Sequence, residues 1–329
     1  MKSVYFANIW PQIITERGFK LFEKLGYSIS GNWLCDSMDF NNSFRILYPY
    51  ANFDNALIID KEQNRLWKKV ISYILFPDSC VGWDCDKNKY LLKINNNFLS
   101  SIEKSRAIIS HSNYSLNLIQ KTYGDISANI VPLGIDTNSI RSFPKKRSKT
   151  LKVLWNNMWR SDKGTIEAFR IIKSLAQKYP EVDFLICQSE TWGTNSNSSA
   201  YKLLCQPQLR SLHNLQNVEF ISRLKKQTEY WELLRQVDIG FSTSFHEGFG
   251  LSMMEQEAAE IACVVPNEEV YPELHSGCLI SERNHIINDL QRLIEDSNLR
   301  KTIAKRCLEN ASKYDIEFWV KSIVKHLNN

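Results

Sequence analysis

The sequence predicts an α/β protein of two domains, the C-terminal one built on a parallel sheet. Three observations point there. The chain has 329 residues, enough for two domains of ordinary size. Short apolar runs alternate with helical patterns along much of it. One such run, Val237, Ile239 and Phe241, leads through Ser242, Thr243 and Ser244 into Glu247-Gly248-Phe249-Gly250, and then into a helical pattern of Leu251, Met254, Ala258 and Ile261. Strand, glycine loop and helix is how α/β proteins hold a phosphate. Glycines admit the ligand to the backbone, and the N–H groups of the helix's first turn face the anion.

Composition sets bounds on function. A hydrophobic content of 43% with 23% charged residues is that of a globular protein. No apolar run is long enough to span a bilayer, and Met1-Lys2-Ser3 leads directly into a strand-like segment rather than a secretory signal. The eight cysteines (Cys35, Cys80, Cys85, Cys187, Cys205, Cys263, Cys278, Cys307) are scattered without a CxxC pair. That argues against zinc and for reduced thiols in the cytoplasm. A net charge of +5 permits an anionic partner and demands none.

In the N-terminal half, residues 4–9 read as a strand and Gly18 to Leu25 as a helix. Trp10 and Pro11, in the strand's exit loop, read as a core cap or a stacking surface. Strands are expected over 28–34, 45–49 and 56–60. Residues 62–76 read as an amphipathic helix, with Leu66, Trp67, Val70, Ile71, Ile74 and Leu75 on one face and Arg65, Lys68 and Lys69 towards the other. Such a helix packs on a sheet or rests on an anionic membrane surface. A strand over 80–86 ends in a turn carrying Asp84 and Asp86; another, over 106–111, precedes Ser112 as an N-cap. After a strand at 128–133, Gly134-Ile135-Asp136 predicts a tight turn.

The basic run 145–149 reads as a linker, and the periodicity then restarts. Strands are expected at 151–155, 182–187 and 217–221, helices at 165–178 and 228–236, a polar loop at 193–199 and a last helix at 314–327. The domains expected are therefore 1–140 and 151–312, joined by a linker at 141–150, with 313–329 as a terminal helix.

Two carboxylates bracket the glycine loop, Glu247 before the helix and Glu255 on it. From Gly250 to Glu255 the helix rises roughly 7 Å, about the span from a diphosphate to its ribose. The segment from Ser242 to Glu255, continuing through Val264-Val265-Pro266 and Val270-Tyr271-Pro272-Glu273, resembles the Glu-x7-Glu signature of retaining glycosyltransferases of the GT-B fold, family 4 type. Leu154-Trp155-Asn156, Trp159 and Asp162-Lys163 are similar to the queuosine-tRNA mannosyltransferase branch, which the N-terminal half does not resemble. One departure is Ala259-Glu260-Ile261-Ala262, where the family usually has a glycine.

The resemblance implies two Rossmann-like domains facing across a cleft, and transfer of a sugar from a nucleotide-sugar donor. Lys163 and Arg160 would meet the donor diphosphate, although the family's arginine position is Met158 here. The main chain of Gly248, Phe249 and Gly250 would cradle the same group, with Glu247 by the sugar and Glu255 on the ribose. Arg223 and Leu224 follow a strand where the family holds the nucleotide base. No histidine precedes His111, so Asp84 stands in for the family's N-domain histidine, with Asp86 as fallback. The nucleotide sugar is a co-substrate, and neither a cofactor nor a metal is expected. The expected acceptor is a saccharide or lipid-linked saccharide, at the cytoplasmic face of a membrane if the protein is peripheral. A modified base of DNA or tRNA is the alternative acceptor, and a nucleotide-sugar epimerase or non-catalytic binder the alternative function.

Overall fold

The computed structural model describes residues 2–7, 16–31, 43–47, 69–74, 81–84, 89–92, 107–146, 148–187, 198–222, 224 and 226–328. They divide into two compact units. The first comprises Met1–Asp84, Lys89–Asp136 and Tyr314–Asn329, and the second Cys85–Asn88 and Thr137–Lys313. Trp10, Pro11, Asp86, Arg223 and the strand expected at 56–60 lie outside the described residues.

The first unit holds a six-stranded sheet of β1 (Lys2–Ala7), β2 (Tyr27–Gly31), β3 (Ser43–Leu47), β4 (Lys69–Ile74), β7 (Ala107–Ser110) and β8 (Asn129–Ile130). Its order is β2-β1-β3-β4-β7-β8, and every pair is parallel. β5 (Val81–Asp84) and β6 (Lys89–Leu92) stand apart as an antiparallel pair. Ser112 caps the helix Asn113–Tyr123, its hydroxyl accepting from the Ser115 N–H at 3.0 Å.

β4 corrects the amphipathic helix read over 62–76. Residues 69–74 are a strand paired on both edges, with Ile46↔Ile71 to β3 and Ile71↔Ala107 to β7. Val70, Ile71 and Ile74 are β-branched and suit a strand flanked on both sides. A short apolar run satisfies helical and strand patterns at once, and tertiary pairing decides between them. The membrane-surface reading of that helix loses its basis. Among the described residues, no helix is long and apolar enough to cross a membrane.

The C-terminal helix Ile316–Asn328 packs on the helix Glu16–Lys24, with Trp319 edge-on to Phe22 at 6.0 Å. Ile135 and Asp315 form an isolated parallel bridge, and Arg17 spans Asp136 (3.2 Å) and Asp315 (2.9 Å). Gly134 serves this contact rather than a strained turn. A Cβ there would lie 2.6 Å from Ile316 Cα and 2.8 Å from Trp319 Cβ.

The second unit's sheet comprises β9 (Leu151–Trp155), β10 (Val182–Cys187), β11 (Val218–Ile221), β12 (Ile239–Phe241), β13 (Ala262–Pro266) and β14 (Leu279–Ser281). All six are parallel, in the order β11-β10-β9-β12-β13-β14. Numbered within the unit this is 3-2-1-4-5-6, the doubly wound order whose direction reverses between its first and fourth strands. Val153, Leu154, Trp155, Phe184, Ile186, Phe241, Val264 and Val265 are buried, the unbroken apolar strands of a sheet covered on both faces.

Two sequence expectations change here. The helix Ser198–His213 begins inside the polar segment read as a loop at 193–199. It carries Pro207, a residue that argues against a helix in isolation, but buries Cys205 and Leu212. The missing glycine near Glu260 costs the fold no turn. Glu260 itself takes the left-handed conformation, φ +60°, and its carbonyl accepts from Lys145 Nζ at 2.6 Å. Lys145, from the basic run, is thus engaged with the second unit's own backbone.

Candidate active site

β9 and β12 are neighbours at the reversal point, so the loops leaving their carboxyl ends lie side by side. In a doubly wound sheet this is where a crevice opens for ligand. After β9 the chain makes a short 3-10 turn, Ser161–Lys163, and enters the helix Thr165–Lys178 through Gly164 at φ +64°. After β12 come the buried residues Ser242, Thr243 and Ser244, then a loop into the helix Leu251–Ala258.

Hydrogen bonds lock the loops together. The N–H groups of Phe245 (2.8 Å) and His246 (3.2 Å) donate to the Asp162 carbonyl. The Thr243 hydroxyl donates to the carbonyls of Lys163 (3.0 Å) and Gly164 (3.1 Å). A Cβ on Gly164 would sit 2.2 Å from the Thr243 carbonyl oxygen, so only glycine permits this approach. Arg283 holds the second loop from behind. It donates to the carbonyls of Thr243 (2.9 Å) and Ser244 (3.0 Å), pairs with Glu167 and Glu268, and lies over the Phe245 ring.

Lys163 and Glu247 meet at the centre. Lys163 is 7% exposed, and its Nζ donates to the His246 carbonyl (2.7 Å) and to Glu247 Oε2 (2.9 Å). Glu247 Oε1 accepts from the Gly250 N–H at 3.2 Å. Burial acts to raise the Glu247 pKa, but the Lys163 ammonium and the Gly250 N–H outweigh it and hold the carboxyl below its usual range. Burial pushes the His246 imidazole down to about 2, so the ring is neutral, and its Nδ1–H donates to Glu269 Oε2 at 2.8 Å. Glu269 sits in the left-handed region at φ +57° and also accepts from the Glu247 N–H at 3.4 Å.

The other expected residues fall into three groups. Gly248, Phe249 and Gly250 are buried at the start of the helix Leu251–Ala258, with Gly250 at φ +78°. Arg160 shares the Lys163 loop, but its guanidinium is paired two-pronged with Asp162 at 2.8 and 2.6 Å. Leu224 follows β11, half-buried, two positions past Ser222. Asp84 belongs to the first unit and ends a strand of the antiparallel pair, opposite Lys89, rather than a strand of the parallel sheet. The strand expected over 80–86 is present as Val81–Asp84, and its antiparallel partner Lys89–Leu92 is an element the sequence reading did not identify.

Glu255 is half-buried on the helix after the glycine loop. Burial raises its pKa from the usual 4.5 to about 7. The unfolded chain gives up this proton near 4.5 and the folded one near 7. Between those values unfolding releases a proton, so the group's contribution to stability falls as pH rises through the window. Glu255→Gln should lack that part of the slope. Urea unfolding at a series of pH values checks this, and parallel curves for the two proteins would refute it.

Several site residues escaped sequence inspection: His246, Glu269, Arg283 and a buried trio of Glu257, His275 and Asn310. His246 lies inside the recognised motif and Glu257 on the helix that follows it, whereas the others are brought in by the segments after β13 and β14 and by later helices. Cysteines that look scattered in sequence also converge. The sulfurs of Cys263, Cys278 and Cys307 lie within 4.8 Å of one another, as do ligand-type atoms of Glu257, His275 and Cys278. These are the described residues that could gather a metal. In the second group both ring nitrogens of His275 already have protein partners.

Residues 136–310 match the family described as Glycosyl transferases group 1, and these residues contain the whole Lys163–Glu247 constellation. No curated protein matches the chain in sequence. Among solved structures, one described as trehalose-6-phosphate from E. coli bound with UDP-2-fluoro glucose aligns over 99% of both chains, at TM-score 0.72 and 13% identity. The sucrose-phosphate synthase of Thermosynechococcus elongatus aligns over 100% of this chain and 98% of its own, at TM-score 0.71 and 10% identity. An alpha,alpha-trehalose-phosphate synthase (UDP-forming) from Burkholderia vietnamiensis aligns over 87% and 72%, at TM-score 0.68 and 11% identity. At such identities these likenesses speak for the GT-B fold, and the family match reaches across more than half of the sequence. The chain belongs to the group 1 glycosyl transferases.

Proposed function

We propose that this protein is a retaining, metal-independent glycosyltransferase that moves a sugar from a nucleotide-sugar donor to a saccharide or lipid-linked saccharide. One observation carries the reading: a buried Lys163 paired with a half-buried Glu247 beside a glycine-led helix start, at the reversal point of a doubly wound sheet. Breaking the donor's glycosidic bond places new negative charge on the departing diphosphate. Lys163 and the N–H groups opening the helix Leu251–Ala258 are preorganised to receive it, with Arg160 able to join if it exchanges Asp162 for phosphate. Glu247 grips the sugar through its hydroxyls, and Glu255 accepts hydrogen bonds from the ribose. The acceptor attacks from the leaving-group face and passes its proton to the diphosphate. Neighbours described as UDP-forming or as bound with UDP-2-fluoro glucose support a nucleoside diphosphate as the leaving group.

The test is a thermal-shift screen of nucleoside diphosphates with and without chelator, followed by turnover of the matching nucleotide sugar. One nucleoside diphosphate should stabilise the protein by about 2.7 kcal/mol at 100 times its Kd, chelator or not. Absence of any shift at saturation would refute the donor site. A sugar-nucleotide isomer as product would mean an epimerase, binding without turnover a non-catalytic binder, and sugar incorporated into DNA or tRNA the other acceptor class.

A further inference from the structure

Directly behind the glycine loop lies a polar cluster inside the core. His275 and Glu257 are 0% exposed and Asn310 is 2% exposed. Asn310 Nδ2 donates to Glu257 Oε2 and to the Leu274 carbonyl, each at 2.8 Å. His275 Nδ1 meets Glu257 Oε1 at 2.5 Å, and His275 Nε2 donates to the Phe249 carbonyl at 2.8 Å. The carbonyl and the following N–H of a trans peptide point in opposite directions. Holding the Phe249 oxygen towards His275 therefore turns the Gly250 N–H the other way, where it donates to Glu247 Oε1. The hydrogen bonds run without a break from Asn310 through Glu257, His275 and one peptide plane to Glu247, and on to Lys163.

We propose that His275 is a positioning residue: with Glu257 and Asn310 it fixes the Phe249–Gly250 peptide plane and so sets how Glu247 meets the donor sugar. This rests on the glycosyltransferase reading above. Fold energetics alone give little reason for the cluster, because a buried polar pair is often matched or bettered in stability by apolar residues of similar volume. What the pair adds is direction. Apolar side chains would fill the same space and leave the Phe249 carbonyl without its donor.

Three variants test this, with melting temperature, donor KM and kcat as readouts. His275→Leu strands the Glu257 carboxylate and should lower both melting temperature and kcat. The double variant Glu257→Met with His275→Leu removes the stranded charge and should recover most of the melting temperature that His275→Leu loses. Its kcat should still be about 10- to 100-fold down, the scale expected when a reacting group is misplaced by about an ångström. Donor KM should change less than about threefold, since the loss falls on the transition state. His275→Gln keeps an N–H for the Phe249 carbonyl and should recover part of kcat. A double variant that regains wild-type kcat along with its stability would overturn the positioning role alone. Wild-type protein that neither binds a nucleoside diphosphate nor turns over a donor would overturn the glycosyltransferase reading and this inference with it.

Discussion

Lys163→Met is expected to lower kcat for sugar transfer by about 100- to 1,000-fold, the usual consequence of removing one preorganised donor from a developing negative charge. The lysine is suited to that role by its surroundings. The residue is 7% exposed, its ammonium aimed by the His246 carbonyl and Glu247, and it is carried on a turn that the Asp162, Thr243 and Gly164 bonds hold in place. Methionine keeps most of the volume and removes the charge, so the fold should survive. With its cation gone, the Glu247 carboxyl should titrate higher than in wild type, since burial would then act against fewer opposing groups. Steady-state turnover of the nucleotide sugar, with donor hydrolysis as an acceptor-free control, measures the loss. A kcat within about threefold of wild type would sink the assignment of Lys163 to the leaving group.

Gly250→Ala is expected to cost about 2–5 kcal/mol of stability in addition to activity. Two penalties combine. Gly250 has φ +78°, where a side chain costs about 1–2 kcal/mol. Its Cβ would also stand 2.5 Å from His275 Nε2 and 3.0 Å from Cε1, on a ring with no exposed surface through which to retreat. Moving the ring breaks its bond to the Phe249 carbonyl and leaves buried polar groups unmatched, worth about 1–3 kcal/mol more. Denaturant unfolding of the purified variant measures the change, and a loss under about 0.5 kcal/mol would show that the loop relaxes without cost.

How much of this was legible beforehand depends on how local each feature is. The second unit could be read strand by strand, because β9, β10 and β12 are short apolar runs bounded by polar turns. Its candidate site was legible where one short motif carries it, from Ser242 to Glu255, and where one loop supplies Lys163. The first unit was harder. Residues 69–74 fit a helical stripe as well as a strand, and pairing with β3 and β7 settled them. Asp84 does end a strand as read, but that strand's antiparallel partner, opposite at Lys89, had no signature in the sequence reading. Gly134 looked like a turn glycine, yet its missing Cβ makes room for Ile316, nearly two hundred residues away in sequence.

The sequence by itself determined the α/β class and the glycine loop with its helix, and it pointed through a family resemblance to Lys163, Glu247 and Glu255. The first two rest on local periodicity and spacing, which a linear string preserves. The tertiary structure alone decided that Lys163 pairs with Glu247, that Glu269 and Glu260 occupy left-handed backbone, and that His275, Glu257 and Asn310 stand behind the loop. These contacts join the loop after β9, the segments flanking β13 and the helix Ser297–Ser312 to the loop and helix after β12. What brings them together is the burial of the sheet's two faces, a long-range effect that no local pattern encodes.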